Sequence, residues 1–119
     1  MDYQKLYDDF ISKYDKAETT PTEAGEVLTR IAGLFPNYNM AAIKAERAYA
    51  LTCRDEIMKT EELTGKSVSS AKAETIANAS VEATAFKAAK GHVANIEMLI
   101  GSLKFLQRSL EVEYSSANL

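Results

Sequence analysis

Residues 85–110 read AFKAAKGHVANIEMLIGSLKFLQRSL, and their spacing predicts a long helix in the last third of the chain. Apolar side chains recur at steps of three and four from residue 86 to residue 114, which places them on one side of a helix. Such a 3.5-residue repeat is typical of coiled coils. The stripe consists of Phe86, Ala89, Val93, Ile96, Ile100, Leu103, Leu110 and Tyr114, with Gln107 in the one polar place.

The side of this predicted helix away from the stripe carries a second set of residues. They are Lys87, Lys90, Gly91, Ala94, Met98, Gly101, Phe105 and Arg108, with Lys104 towards one flank. Each glycine costs about 1 kcal/mol of helix stability relative to Ala, which suggests close approach by another helix, a local bend or a ligand. One interpretation is a surface for helix packing or oligomerisation. The other is that the basic groups meet phosphates while Phe105 stacks on a base.

Two short helices are predicted in residues 1–36. The apolar face of the first consists of Tyr3, Leu6, Tyr7, Phe10, Ile11 and Tyr14, at helical spacing. The second begins at TPTE, where Thr20 suits the N-cap, Pro21 the first helical position and Glu23 a capping box. Its apolar face consists of Val27, Leu28, Ile31, Leu34 and Phe35. We expect Pro36 to end this helix, because the residue before a proline avoids the helical region.

A third, polar helix is predicted within residues 37–64, after a turn at FPNYN. Its seam contains two arginines and reads Met40, Ile43, Arg47, Ala50, Arg54 and Ile57. The arginine stems can pack while their heads pair with acids, or the two arginines can bind a ligand or phosphate. The segment LTGKSVSS then ends the helix, with Gly65 as C-cap and Ser67, Ser69 or Ser70 as the next N-cap.

From Ser67 to about Tyr114 the chain has no proline and much alanine, which allows one helix of nearly fifty residues. The sequence therefore predicts an all-α fold and a single domain over residues 1–119. Two short N-terminal helices precede a long helical hairpin, whose very long C-terminal helix lies within residues 65–119. The third helix would have only about half the length of the fourth at a constant rise per residue. Helices one and two can cover part of the overhang, and we expect copies of the fourth helix from other protomers to cover the rest, so that the chain oligomerises as a helical bundle.

Composition and charge exclude several classes of function. The chain has 119 residues and a formal net charge of −3, which is typical of one globular domain and excludes indiscriminate binding to polyanions. Acid concentrates in residues 1–36, which hold seven acidic and four basic side chains, against five and six in residues 66–119. The opening MDYQKLYDD resembles no secretory or transit peptide, and no apolar run is long enough to span a bilayer. We therefore expect a cytoplasmic protein with no membrane partner.

Catalytic and metal-binding signatures are missing from the sequence. His92 is the only histidine and Cys53 the only cysteine, so one chain can form neither a two-histidine metal site nor an intrachain disulfide. The paired Glu-x-x-His motifs of di-iron bundles are absent, as are dinucleotide and triphosphate loops. We expect no catalytic residue, no metal and no cofactor, and we predict that the protein is not an enzyme.

Two stretches, KSVSSAKAETIANAS (66–80) and LIGSLKFLQRSLEVEY (99–114), are similar to those of small phage-encoded helical proteins. In that group a serine-capped, Ala-rich segment leads to a terminal helix with a Lys, Arg and Glu pattern. The order of short N-terminal helices, a polar helix and a long helical hairpin also resembles the UvsY-type recombination mediators of tailed phages. This resemblance covers the organisation of residues 40–114.

The resemblance implies a ring-like oligomer in the host cytoplasm that binds single-stranded DNA. Such a protein helps to load a recombinase onto strands covered by single-strand-binding protein. The phosphate contacts implied are Lys87, Lys90, Lys104 and Arg108, with Arg47 and Arg54 as a second set. The negative net charge departs from this expectation, but an oligomer would concentrate the basic faces by symmetry.

The residues also allow two other functions. One is an anti-defence protein that sequesters a cyclic nucleotide messenger between protomers. Its phosphates would meet Arg47, Arg54 or the lysines near Gly91 and Gly101, where glycine permits close approach. The other is a structural virion or assembly protein, whose second face serves only as an oligomer interface.

Overall fold

The computed structural model of the protein describes residues 2–66 and 70–117, and these form four α-helices without a β-strand. The helices are α1 (Tyr3–Asp15), α2 (Pro21–Thr64), α3 (Ser70–Ala77) and α4 (Val81–Ala117). The predicted all-α class is confirmed for this part of the chain. The residues group into two compact units, one within Met1–Pro36 and Ala94–Leu119 and the other within Asn37–Val93. They are called unit 1 and unit 2 below.

Unit 1 packs α1, the first turns of α2 and the second half of α4 around an apolar core. The largest fully buried side chains are Ile31 on α2 and Ile96 and Leu103 on α4. The buried apolar residues of the unit are Tyr3, Phe10, Ala24, Ile31, Ile96, Leu99, Leu103 and Leu110. The stripes predicted for the first two helices contribute to this core, as helical spacing requires. Of the stripe predicted for the C-terminal helix, Ile96, Leu103 and Leu110 are buried in it, whereas Tyr114 is 44% exposed and the part before residue 94 belongs to unit 2.

Polar contacts hold the elements of unit 1 in register. The Tyr7 hydroxyl on α1 lies 2.7 Å from the Ser102 hydroxyl on α4. Tyr114 donates a hydrogen bond to the carbonyl oxygen of Thr19, at 3.3 Å. Gln107, the polar residue in the apolar stripe, lies against Gly25. A Cβ added at Gly25 would stand 2.9 Å from the Gln107 amide nitrogen, so the missing side chain at Gly25 makes room for this glutamine.

Unit 2 contains the rest of α2, the short α3 and the first turns of α4, and its core is thin. The buried apolar side chains in its described part are Ala77 and Ala83. Larger apolar residues on α2 stay exposed, which are Met40, Ile43, Leu51, Met58 and Leu63. Most of the predicted seam, including Arg47 and Arg54, is exposed in the described part of the chain, and Ile57 is half-buried.

The prediction that Pro36 ends the second helix is wrong. A single helix of 44 residues continues through Pro36 to Thr64. A proline in a helix interior loses one backbone hydrogen bond and clashes with the preceding turn. The helix makes tertiary contacts on both sides of Pro36. Ile31 is fully buried before it, and the Tyr38 ring after it lies 5.4 Å from the ring of His92.

The prediction of one helix from residue 67 to about residue 114 is also wrong, because α3 ends at Ala77 and α4 begins at Val81. Ser80 causes this break. Its hydroxyl donates to the carbonyl of Ala77 and accepts from the amide of Ala83 at 3.2 Å, so one side chain closes α3 and caps α4. Asn78 is also held outside the helices, because its amide oxygen accepts a 2.6 Å hydrogen bond from Tyr49.

The expected overhang required a third helix about half as long as the fourth. The structure has no such pair, because α2 has 44 residues and α4 has 37, so the overhang no longer supports an oligomer. Two predicted caps are confirmed. The Thr20 hydroxyl accepts from the amide of Glu23 at 3.2 Å, and Gly65 takes a left-handed conformation with φ of 66°. The caps predicted at Ser67 and Ser69 and through the side chain of Ser70 lie outside the described residues.

Replacing Pro36 with alanine should stabilise the protein. Pro is about 3 kcal/mol less favourable than Ala in a helix interior, while the freer unfolded chain of the variant offsets up to about 1 kcal/mol of the gain. We expect Pro36→Ala to raise the free energy of unfolding by about 2 kcal/mol in urea unfolding followed by circular dichroism. Pro21→Ala is the control, because Pro suits the first helical position, and it should give no gain. Equal effects of the two substitutions would contradict a helix that continues through Pro36.

Candidate functional site

An open groove of about 430 Å³ lies between α2 and α4 in unit 2. From α2 it is lined by Asn39, Ala42, Ile43 and Glu46, which recur at helical spacing and so share one face. From α4 it is lined by Phe86, Lys90 and Val93. The volume lies within the range of small-molecule sites, roughly 300–1,000 Å³.

Aromatic contacts fix the α4 wall of this groove. The ring of Phe86 stacks on Tyr49 of α2, with centroids 5.8 Å apart and an interplanar angle of 29°. The Tyr49 hydroxyl is in turn bonded to Asn78. The Lys90 ammonium lies 4.8 Å from the centroid of Phe86, within cation–π distance. Phe86 is therefore held on one side by a ring and approached by a cation.

The chemistry of the groove is that of a binding site for a flat apolar group with a polar edge. Phe86, Ile43 and Val93 offer apolar surface, while the Asn39 amide and the Glu46 carboxylate can form hydrogen bonds. Lys90 and Glu46 contribute opposite charges, so the groove itself has no excess of positive charge. Among the residues that the structure describes, no group of three or more His, Cys, Asp or Glu side chains could hold a metal ion.

Three of the predicted phosphate contacts lie in the lining of this groove or next to it in sequence. Lys90 lines it, Lys87 directly follows the lining residue Phe86, and Arg47 directly follows the lining residue Glu46. All three are exposed, and none forms an ion pair within the described ranges. Arg54, the other predicted phosphate contact in unit 2, has a side chain that is 66% exposed and lies 3.6 Å from the carboxylate of its neighbour Asp55. An exposed pair of this kind contributes little to stability.

The remaining predicted residues, apart from Gly91, belong to unit 1. Lys104, Phe105 and Arg108 are exposed on α4, and Phe105 keeps 69% of its surface. Gly101 is exposed in unit 1 and Gly91 in unit 2, and no atom of the described residues lies within 4 Å of a Cβ added at either. Among those residues no other helix therefore approaches either glycine closely, and α4 continues through both.

Sequence reasoning missed the α2 wall of the groove and the tie between Tyr49 and Asn78. Asn39, Ile43 and Glu46 had a visible signal in their spacing of four and three. The sequence prediction places Ile43 in a packing seam and Asn39 in a turn before the third helix, so it does not group the two residues on one face. No sequence pattern connects Tyr49 with Asn78, which lie 29 residues apart.

Comparison of the chain with protein-family models, curated proteins and solved structures finds no match. Within residues 2–66 and 70–117, no helix is long and apolar enough to cross a membrane.

The contact between Tyr49 and Asn78 should help to hold the wall of the groove. Tyr49→Phe and Asn78→Ala should each lower the free energy of unfolding by about 1 kcal/mol, the usual net value of a hydrogen bond. Because both remove the same bond, the double variant should lose about as much as either single variant. Urea unfolding of the four proteins measures this coupling. Strictly additive losses would show that the bond contributes nothing.

Proposed function

We propose that the protein is a non-enzymatic accessory protein of DNA recombination or replication that binds single-stranded DNA through unit 2. The observation that carries this proposal is that the exposed cation Lys90 lines a groove with an aromatic wall, while the exposed cations Lys87 and Arg47 directly follow two other lining residues in sequence. A cationic track beside aromatic rings is the combination by which many proteins bind single strands without strong sequence preference. The cations would meet phosphates, and the groove would receive a base.

The distribution of charge favours unit 2 for this role. Residues 37–93 hold eight basic and seven acidic side chains, a formal charge of +1. The residues of unit 1 hold six basic and ten acidic side chains, a formal charge of −4. These two values account for the net charge of −3. Phosphate binding depends on local cations that displace counterions, so the negative charge of unit 1 does not oppose a contact made by unit 2.

The groove residues suggest how a base would be held. Phe86 and Ile43 offer a flat apolar surface, and the amide of Asn39 and the carboxylate of Glu46 face the same space. A carboxylate accepts hydrogen bonds from exocyclic amino groups, so Glu46 would favour bases that carry an amino group over thymine. The flexible stem of Lys90 lets its ammonium leave the Phe86 ring and reach a phosphate.

The groove gives less support to the sequestration of a cyclic nucleotide. Such a ligand is a compact anion, and its phosphates would lie close to both Glu46 and Lys90. A ligand of the folded state raises the midpoint of thermal unfolding, so a flat response to a panel of cyclic nucleotides would remove this alternative. The structural role in assembly is favoured by a different surface, on unit 1, which is described below.

Reversing the three cations should abolish most of the binding to single strands. Anisotropy of a labelled oligonucleotide should show saturable binding, with a slope of log K against log salt of about −2 if three phosphates are neutralised. The triple variant Arg47→Glu, Lys87→Glu, Lys90→Glu should bind far more weakly at low salt and lose most of this slope. Its helicity should be unchanged, because all three side chains are exposed.

The matched control is Lys5→Glu, Lys13→Glu, Lys16→Glu, three exposed lysines of unit 1 that change the net charge by the same amount. This control should retain nearly wild-type affinity. An equal loss in both triple variants would mean that only net charge matters. Absence of binding by the wild-type protein at low salt would refute the proposed function.

A further inference from the structure

A second apolar repeat runs along the exposed side of α4 in unit 1. Its residues follow one another at alternating steps of four and three, and all are exposed: Ala94, Met98, Gly101, Phe105, Arg108 and Val112. We call these six residues the α4 seam. Its large members Met98, Phe105 and Val112 keep 68%, 69% and 66% of their surface. Large apolar residues in such a repeat are typical of the contact line of a helix pair.

The α4 seam lies opposite the side of α4 that the chain already uses. Ile96, Leu103 and Leu110 face the core of unit 1, and they occupy the place in the repeat that is farthest from the seam. The hydroxyl of Tyr7 on α1 meets Ser102 on one flank. The other flank carries the exposed charges Glu97, Lys104 and Glu111, none of which forms an ion pair in the described part of the chain.

We propose that the α4 seam packs antiparallel against the α4 seam of a second copy of this chain. In the proposed register Met98 of each copy lies over Gly101 of the other, and Phe105 lies over Ala94. Small and large residues alternate from Ala94 to Phe105, so reversing the direction of one helix sets both large side chains of this stretch against small ones. A parallel pair in register would instead face Phe105 with Phe105 and leave Gly101 opposite Gly101.

Charge selects this register among the antiparallel alternatives. With Met98 over Gly101, Glu97 of one copy and Lys104 of the other come within about 3 Å along the helix axis, at 1.5 Å per residue. Symmetry repeats this pair of opposite charges. A shift by one repeat would place Phe105 over Gly101, but it would bring Lys104 beside Lys104 and Glu97 beside Glu111. Charges that flank a helix pair set its partner and orientation in this way.

The open space at Gly101 fits the same arrangement. A Cβ added there meets no atom of the described residues within 4 Å, and glycine lowers helix stability by about 1 kcal/mol relative to Ala. No contact at Gly101 in the described part of unit 1 offsets that cost. In the proposed dimer Gly101 leaves room for Met98 of the second copy, as small residues do wherever helices approach closely.

The contact is small, which favours reversible association. Met98 and Phe105 with their two counterparts would bury roughly 500 Å² in total, given the area that one large side chain covers. With the flanking residues this is at the small end of specific interfaces, below about 1,200 Å². We therefore expect a reversible dimer with a micromolar dissociation constant. This inference does not depend on nucleic-acid binding by unit 2.

Sedimentation velocity of the wild-type protein, from low micromolar to submillimolar concentration, should show a monomer–dimer equilibrium. Glu97→Lys and Lys104→Glu should each weaken it several-fold, since each sets like charges together, and the double variant should restore it. A wild-type protein that stays monomeric throughout would overturn the proposal. So would an oligomer that neither single variant weakens.

Gly101→Leu separates self-association from folding. It should raise or preserve the midpoint of thermal unfolding, because leucine favours the helix and meets open space, while it weakens dimerisation by blocking Met98. A stabilised variant that still dimerises like the wild type would refute the register.

Cross-linking tests the direction of the helices. In a Cys53→Ala background, Met98→Cys and Gly101→Cys proteins of different tag length are mixed and treated with a short bismaleimide. The antiparallel register predicts the mixed product, formed between positions 98 and 101. A parallel dimer would give links within each single variant, and a shifted register would give no preference for the mixed product. Either result would overturn the proposal.

Discussion

Burial of one side of α4 is the constraint on which unit 1 depends. Ile96 and Leu103 are fully enclosed, and Leu110 nearly so, by α1 and the first turns of α2. A helix that carries apolar residues on two sides can bury only one of them in so small a unit, because little other apolar surface is left to cover the second. The exposure of Met98 and Phe105 follows from that limit. Unit 2 buries few apolar side chains of its own, and its helices are held by ring contacts and by the hydrogen bond between Tyr49 and Asn78.

The apolar spacing was sufficient to predict the helical class and the buried stripe, because periodicity depends only on the residues within one helix. The break at residues 78–80 had a local signal as well, since Ser80 precedes Glu82 in the manner of a helix start. The passage of α2 through Pro36 had no such signal. Local preference opposes a helix there, and contacts distant in sequence, such as Tyr38 with His92, decide the outcome.

Some features of the candidate site can likewise be predicted from the sequence, and others cannot. The position of Lys87 and Lys90 on the helix predicts their exposure, whereas Arg47, which the sequence places on a packing seam, is exposed only in the structure. The groove depends on which turn of α2 faces which turn of α4. That alignment brings Glu46 and Phe86 to one groove across 40 residues of sequence, and no repeat or motif encodes it. The charge balance of the two units became visible only when residues 94–119 were grouped with residues 1–36.

The two units also differ in how they can form during synthesis. Unit 2 is one continuous segment, so its contacts can close as soon as residues 37–93 have left the ribosome. Unit 1 joins the first 36 residues to a segment that follows residue 93, and α1 must wait for Ile96 and Leu103 before it has a core to pack on. Contacts of such long sequence separation form slowly. The nascent chain therefore passes through an interval in which Phe10 and Ile31 are exposed, when a chaperone or a neighbouring nascent chain can reach them.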